Sequence, residues 1–235
     1  MKLTSLFGTS TSMIILSLTC MLPAQAALQA RDIGSTGATN AFYDTTLNVT
    51  WLDMASGALT WDTANAWASG LNVGGVTGWR LPTMTVANPN TNISSNGTTD
   101  YGYNVPGSSS EMASLFYNTL GNKAYVNTSG AVQAGYGLTN AGGFQNLQPN
   151  GYWLGTEFAP NLSRPTAWYF NNGIGTQLAA YKSDSLYAMA VHAGDVMAPV
   201  PEPETYAMLL LGLGVVGAIS CRRSRAHGSL ANQVN

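Results

Sequence analysis

The chain has 235 residues, only 9% of them charged, with a formal net charge of −2 at neutral pH and two cysteines. Between Ala27 and Ala198 five basic residues stand against nine acids, with no cluster of Lys or Arg; this excludes a nucleic-acid partner, because phosphate binding needs grouped cations. Cys20 and Cys221 both fall outside that stretch, so the body of the protein has no disulfide and no thiolate-ligated zinc site, and its six tryptophans must supply the core.

Residues 1–26 read as a secretory signal peptide. Lys2 supplies the positive end and Met13–Leu22 the apolar region; Ala24 and Ala26 are the small residues that specify cleavage. The residues before Cys20, Ser17-Leu18-Thr19, lack the pattern that lipid attachment needs.

The body begins with "AFYDTTLNVTWLDM", in which aromatic and β-branched residues flank Asp44-Thr45-Thr46 and predict two short strands around a turn. Ala64, Trp67, Ala68 and Leu71 then recur at helical spacing. Thr60 is the expected N-cap, Asp62 lies in the first turn, and Gly74-Gly75 is the expected stop. Met84–Ser108 holds five asparagines and reads as a long surface loop. A second helix is predicted over Ser110–Leu120, with Glu111 in its first turn and Met112, Leu115, Phe116 and Leu120 on one face. Residues 121–150 are rich in Gly and Asn. The rest predicts three or four short strands, with "AWYF" and "LYAMAV" the strongest and Asn172-Gly173 a hairpin turn.

Chemistry is sparse, and no catalytic residue, cofactor site or metal site is expected. His192 is the body's one histidine and is expected to be packed or surface-exposed. Glu111 and Glu157 are its only glutamates; Glu111 reads as a helix-start acid, and Glu157 as a partner for Arg80 or Arg164. Asp100 alone offers too little charge for a tight calcium site. Gln148-Pro149-Asn150 superficially resembles the sugar-selecting tripeptide of C-type lectins. It lacks their downstream Trp-Asn-Asp run and reads as a turn before a strand at Tyr152. Most tryptophans should be core, leaving Tyr101, Tyr103 and Tyr136 as candidate glycan contacts.

The C-terminal region has three parts in order. Val200-Pro201-Glu202-Pro203 is held extended by its prolines. Tyr206–Ser220 is apolar, and Arg222, Arg223 and Arg225 follow. As a helix the run covers roughly 22 Å, against a hydrocarbon core about 30 Å thick. The arginines mark a cytoplasmic side. This order resembles the PEP-CTERM sorting signal of Gram-negative bacteria. The resemblance implies recognition and removal of the tail by an exosortase, an integral-membrane processing enzyme, and delivery to the cell surface or the exopolysaccharide matrix of biofilms. Pro201, Glu202, Pro203, Arg222 and Arg223 carry the signal.

In the body, "TWLD", "TWDTANAWASGL", "GGVTGWRLPT" and "YWLGTEF…AWYFNNG…YAMAVHAGDV" resemble the bacterial domain found at the C-terminus of the Legionella collagen-like adhesin, the Lcl C-terminal domain. The resemblance covers roughly residues 40–195 and implies a C-type-lectin-like α+β fold, with two helices on small curved antiparallel sheets and long loops. The expected organisation is a signal peptide (1–26), this domain (27–195), a linker with the Pro-Glu-Pro motif (196–205), a short transmembrane segment (206–221) and a basic cytoplasmic tail (222–235). The expected role is that of a non-enzymatic surface or matrix protein, structural or adhesive, with an exosortase and extracellular polysaccharide as partners. The alternatives are a secreted hydrolase of matrix polysaccharide and a membrane-anchored binding module whose tail is never cut.

Overall fold

The computed structural model describes residues 28–54, 56–159 and 165–196. The signal peptide with Ala24 and Ala26, Arg164, the Pro201-Glu202-Pro203 motif, the apolar segment 206–221 and the tail with Arg222 and Arg223 lie outside the described residues. Among those described, no helix is long and apolar enough to cross a membrane.

Two four-stranded antiparallel sheets and two short helices make an α+β body. The first sheet holds β1 (Leu28–Arg31), β2 (Ala41–Asp44), β3 (Val49–Leu52) and β8 (Val191–Ala193), in the order β1-β2-β3-β8. The second holds β4 (Gly102–Tyr103), β5 (Gly151–Ala159), β6 (Thr166–Asn171) and β7 (Thr176–Tyr181), in the order β4-β7-β6-β5. The expected strand pair around Asp44 is β2–β3. Its turn forms because the buried Asp44 carboxylate accepts from the Thr46 amide at 2.9 Å and the Leu47 amide at 3.2 Å, while Asn48 takes a positive φ of 53°. The hairpin at Asn172-Gly173 joins β6 to β7 through four residues, 172–175, rather than two, closed by Gly175 N–H on Asn171 O at 2.8 Å. "LYAMAV" is mostly not a strand. Leu186 and Tyr187 make isolated bridges to Leu59 and Tyr152, and regular pairing begins only at Val191.

Helix α1 (Trp61–Ser69) buries Ala64 and Ala68, with Trp61 and Trp67 partly buried beside them. Thr60 is at its N-cap, but the hydroxyl bonds the Thr63 hydroxyl at 2.8 Å and caps no amide. The helix stops at Gly70, short of Gly74-Gly75. Those two glycines turn the chain so that Val73 and Val76 pair with each other. Gly74 has a φ of +56° and lies against Gly34, where a β-carbon would overlap backbone, so the close approach and the conformation both demand glycine.

Helix α2 (Glu111–Ala113) starts at Ser110, whose hydroxyl accepts from the Ala113 amide at 3.4 Å, and widens into a π-helical stretch over Ser114–Thr119. The wider turn is closed by Leu120 N–H on Leu115 O at 2.9 Å. It keeps Leu115 and Phe116 buried together with Met112.

Strand alternation divides the buried side chains into two cores. Phe42, Trp51, Trp168 and Phe170 join Met112 and Phe116 in one; Ala41, Leu52, Ala167 and Trp153 join Trp79 and α1 in the other. Trp51, Trp79, Trp153 and Trp168 are all fully buried. The expected surface loop over Met84–Ser108 is exposed from residue 85 to 93, but it is pinned at both ends. Met84, Asp100 and Val105 are buried, and the segment supplies β4 to the edge of β7. Asp100 holds it down by accepting from the Ala87 amide at 2.8 Å and the Asn88 amide at 2.5 Å.

Carboxylates repeatedly do this work in a body without disulfides. Asp32 accepts from Thr36 and Gly37, Asp53 from the Gln145 and Asn146 amides, and Glu111 from Arg80 and Thr83. Asp195 closes the chain onto its own beginning. Arg31 Nε donates to Asp195 Oδ1 at 2.8 Å and Nη2 to Oδ2 at 2.6 Å. The Thr50 hydroxyl donates to Gly194 O at 2.8 Å and accepts from the Val196 amide at 3.3 Å. The Arg31 guanidinium also lies 5.4 Å from the centre of the Tyr43 ring.

Tyrosine burial gives an alkaline limit to stability. Burial pushes the Tyr117, Tyr152, Tyr169 and Tyr103 phenols above their ordinary range. A raised folded-state value favours the protonated form in the folded protein, so the contribution is complete below about pH 10, where an unfolded tyrosine titrates, and is lost as pH rises beyond it. Denaturant midpoints should therefore hold from neutrality to about pH 10 and fall above it. The Tyr117 hydroxyl donates to Gly175 O at 2.7 Å and accepts from the Asn104 amide at 3.0 Å. Tyr117→Phe should cost about 1–2 kcal/mol at neutral pH and make the alkaline fall shallower, both read by denaturant titration across pH.

Candidate functional site

A groove of about 460 Å³ opens beside β7, a size within the usual range for ligand pockets. Its position follows from strand lengths. β4 pairs only with Thr176 and Gln177, so among the described strands none pairs with Leu178–Ala180 on that side. The Lys182 amide donates to Pro165 O at 3.0 Å. Alternation along an antiparallel ladder then sends the backbone groups of Ala180 and Leu178 toward β6 and those of Ala179 and Tyr181 toward the groove.

The walls are aromatic and the rim is polar. Tyr101 packs edge-on against Phe158 with ring centres 6.2 Å apart and sits 6.0 Å from Trp168, so the buried tryptophan backs the wall. Tyr169 is set by a contact with Trp153 at 6.4 Å. Tyr181 stands at the rim with 43% of its surface exposed. Asp184 follows in a tight turn: its amide donates to Tyr181 O at 2.8 Å, and its Oδ2 accepts from the Tyr181 amide at 3.1 Å. Burial, then the nearby Tyr101 and Asp184, hold the Tyr169 phenol protonated above its ordinary range. Three tyrosines and one carboxylate thus line one space.

The tyrosines named from sequence do not form one site. Tyr101 lines this groove. Tyr103 and Tyr136 instead bracket Tyr125 elsewhere, with ring centres 6.4 and 4.9 Å from it. Asp184, Tyr169, Tyr181 and Phe158 were not foreseen. The available signal was a single tyrosine in each of β6 and β7, but which residues meet at the edge depends on the shortness of β4.

The other candidates have structural employment. Glu111 is more than a helix-start acid: both its oxygens accept from Arg80 at 2.7 Å, and Oε2 also takes the Thr83 amide at 2.6 Å. Glu157 pairs with Lys182 at 2.7 Å, not with Arg80, whose guanidinium is committed to Glu111. Lys182 also lies 4.0 Å from the Trp61 ring centre. A hollow of about 230 Å³ beside Thr83, Ser109 and Glu111 therefore adjoins a carboxylate already engaged. His192 is half-buried in β8, opposite Thr50 and edge-on to Trp79 at 5.6 Å. Asn150 N–H reaches Gln148 O at 2.9 Å in the turn before β5, which begins at Gly151. Among the described residues no group of three or more His, Cys, Asp or Glu is placed to hold a metal ion.

Residues 199–224 match the family model of the PEP-CTERM protein-sorting motif. The chain therefore carries a signal for exosortase-dependent export to the surface, passing through a transient membrane step. No curated protein and no solved structure matches the chain.

Proposed function

We propose that this is a surface or extracellular-matrix protein, delivered by an exosortase, whose Lcl-like, C-type-lectin-like body serves a structural and adhesive role on extracellular polysaccharide and is not an enzyme. The observation that carries the reading is the sorting motif at residues 199–224, which directs the body outward. Two short helices on two small antiparallel sheets with long connecting segments agree with the family resemblance. The non-enzymatic part is supported by the carboxylates. Glycoside hydrolysis needs two acids facing one bond, whereas Glu111 and Glu157 are each held by a cation and Asp184 is the one acid among the described groove residues.

The test is the mass of the mature protein on cells and in their extracellular material. The expected product lacks Cys221 and Arg222–Arg225, and cells without the exosortase should retain the full tail. An intact tail on exported protein from cells with a working exosortase would favour the permanently anchored module.

A further inference from the structure

The structure assigns Asn96-Gly97 as a site of self-catalysed deamidation. There the Gly97 peptide nitrogen displaces ammonia from the Asn96 side chain and leaves an aspartyl or isoaspartyl residue at position 96. The chemistry lies within one loop and needs only water. It goes beyond the adhesive reading above and does not rest on it.

The chain has three Asn-Gly pairs, at 96–97, 150–151 and 172–173. Glycine after asparagine leaves the peptide nitrogen open to attack on the side-chain carbon, because no β-carbon shields it. Folding separates the three pairs. Asn172 is buried, and the Gly173 amide already donates to Asn171 Oδ1 at 2.8 Å, so that nitrogen is occupied. Gly151 opens β5. Asn150 O accepts from the Asn172 amide at 3.0 Å and Gly151 O from the Tyr187 amide at 3.0 Å, so a ring closing there would unpick the sheet. Gly97 lies in the loop between Ser94 and Asn104, and its amide donates to no described residue.

The Asn96 side chain is set up as the electrophile. Its Oδ1 accepts from Ser94 Oγ at 2.7 Å, from Thr98 Oγ1 at 2.8 Å and from the Thr98 amide at 3.2 Å. The last of these bonds closes a ring of atoms that contains the Gly97 nitrogen, which holds the side-chain amide beside it. Three donors on one carbonyl oxygen draw charge from Cγ and stabilise the oxyanion that forms as the nitrogen adds, the arrangement that eases acyl transfer in enzymes. The Gly97 nitrogen gives its proton to hydroxide and bonds to Cγ. The Cγ–Nδ2 bond then breaks, and ammonia departs from an exposed side chain. Water opens the resulting five-membered imide at either carbonyl.

Asn127 shows what the glycine adds. Its Oδ1 also takes three donors, the Ser129 amide at 3.0 Å, Ser129 Oγ at 2.7 Å and the Ala131 amide at 3.0 Å. The next residue there is Thr128, whose branched side chain crowds the nitrogen. At position 96 the loop keeps its shape because Asn104 Nδ2 donates to Ser95 O at 2.6 Å and Gly97 is pressed against Asn104 O, where a β-carbon would overlap. The product adds a negative charge to a stretch, 84–108, whose one acid is Asp100. The isoaspartyl form also lengthens the main chain by a carbon beside that close contact.

The experiment is incubation of the full chain in detergent at neutral and mildly alkaline pH, followed by peptide mapping with isoaspartyl-specific methylation. Asn96 should convert before Asn127, Asn150 and Asn172 and give both products. The rate should rise with pH, because the attacking nitrogen must lose its proton. Ser94→Ala and Thr98→Val each remove one donor from Oδ1 and should each slow the conversion about fivefold, with circular dichroism checking that the fold is kept. Asn96 left intact in the folded chain, while the same chain in denaturant converts it, would overturn the assignment. So would faster conversion at Asn150 or Asn172 in the folded protein, or a rate at Asn96 that both variants leave unchanged or raise.

Discussion

Trp153→Ala is expected to lower the unfolding free energy by about 3–5 kcal/mol, enough to leave much of the protein unfolded at physiological temperature if the total lies at the low end of the usual range of about 5–15 kcal/mol. Trp153 is fully buried in β5, within the core that joins the second sheet to α1. Its indole N–H donates to Leu59 O at 2.8 Å, and the Trp61 indole makes the reciprocal crossing to Leu154 O at 2.8 Å, so two tryptophans stitch β5 to the start of α1. Truncation removes one of the two fully buried tryptophans of that core and one stitch, and no covalent crosslink within the body compensates. Trp67→Ala, at a partly buried position on α1, should cost no more than about half as much. Denaturant unfolding followed by far-UV dichroism measures both, and equal losses would show that the core does not have the described arrangement.

Glu111→Ala is expected to cost about 2–3 kcal/mol, a figure reduced from that of a fully buried pair because the Arg80 side chain is 38% exposed and that of Glu111 17%. The carboxylate receives both arms of Arg80 together with the amide and hydroxyl of Thr83, so its removal leaves the Thr83 amide without its acceptor and the guanidinium with only the Leu81 carbonyl. Arg80 in turn bridges by its backbone to Val191, which ties α2 through one side chain to β8. Glu111→Gln keeps an oxygen for Thr83 and should lose about half as much. A Gln variant as unstable as the Ala variant would place the whole effect in the ion pair.

Local patterns carried the elements that local chemistry decides. The β2–β3 hairpin, the body of α1, the start of α2 at Ser110 and the β6–β7 hairpin all follow from short-range signals, such as an acid that caps a turn or apolar residues at helical spacing. The failures are those of long-range pairing. β1 is four residues with no strong strand signature, and it is ordered by pairing Leu28–Arg31 against Asp44–Ala41. Met84–Ser108 has the composition of a loop because its anchors are single residues, Met84, Asp100 and Val105, spread along a polar background. The partners of Glu111 and Glu157 could not be read from spacing, since Arg80 and Lys182 reach them only after the sheets form. The groove was half legible: Tyr101 is conspicuous in sequence, but Asp184 joins it only because β4 ends where β7 continues. The sorting motif was legible because its order is linear along the chain.

The junction between the body and its tail has a mechanical consequence. Five residue steps separate Val196 from Pro201, a reach of at most about 18 Å even when fully stretched. A body held by its C-terminal side therefore sits on a short leash. Tension along that leash arrives first at Asp195 and the two-pronged grip of Arg31, and at Thr50, before it can peel β8 from β3. Because Arg31 belongs to the opposite edge strand, a tug on the last residues is spread across the whole first sheet. Shear from flowing liquid would then load four strands together instead of unzipping one.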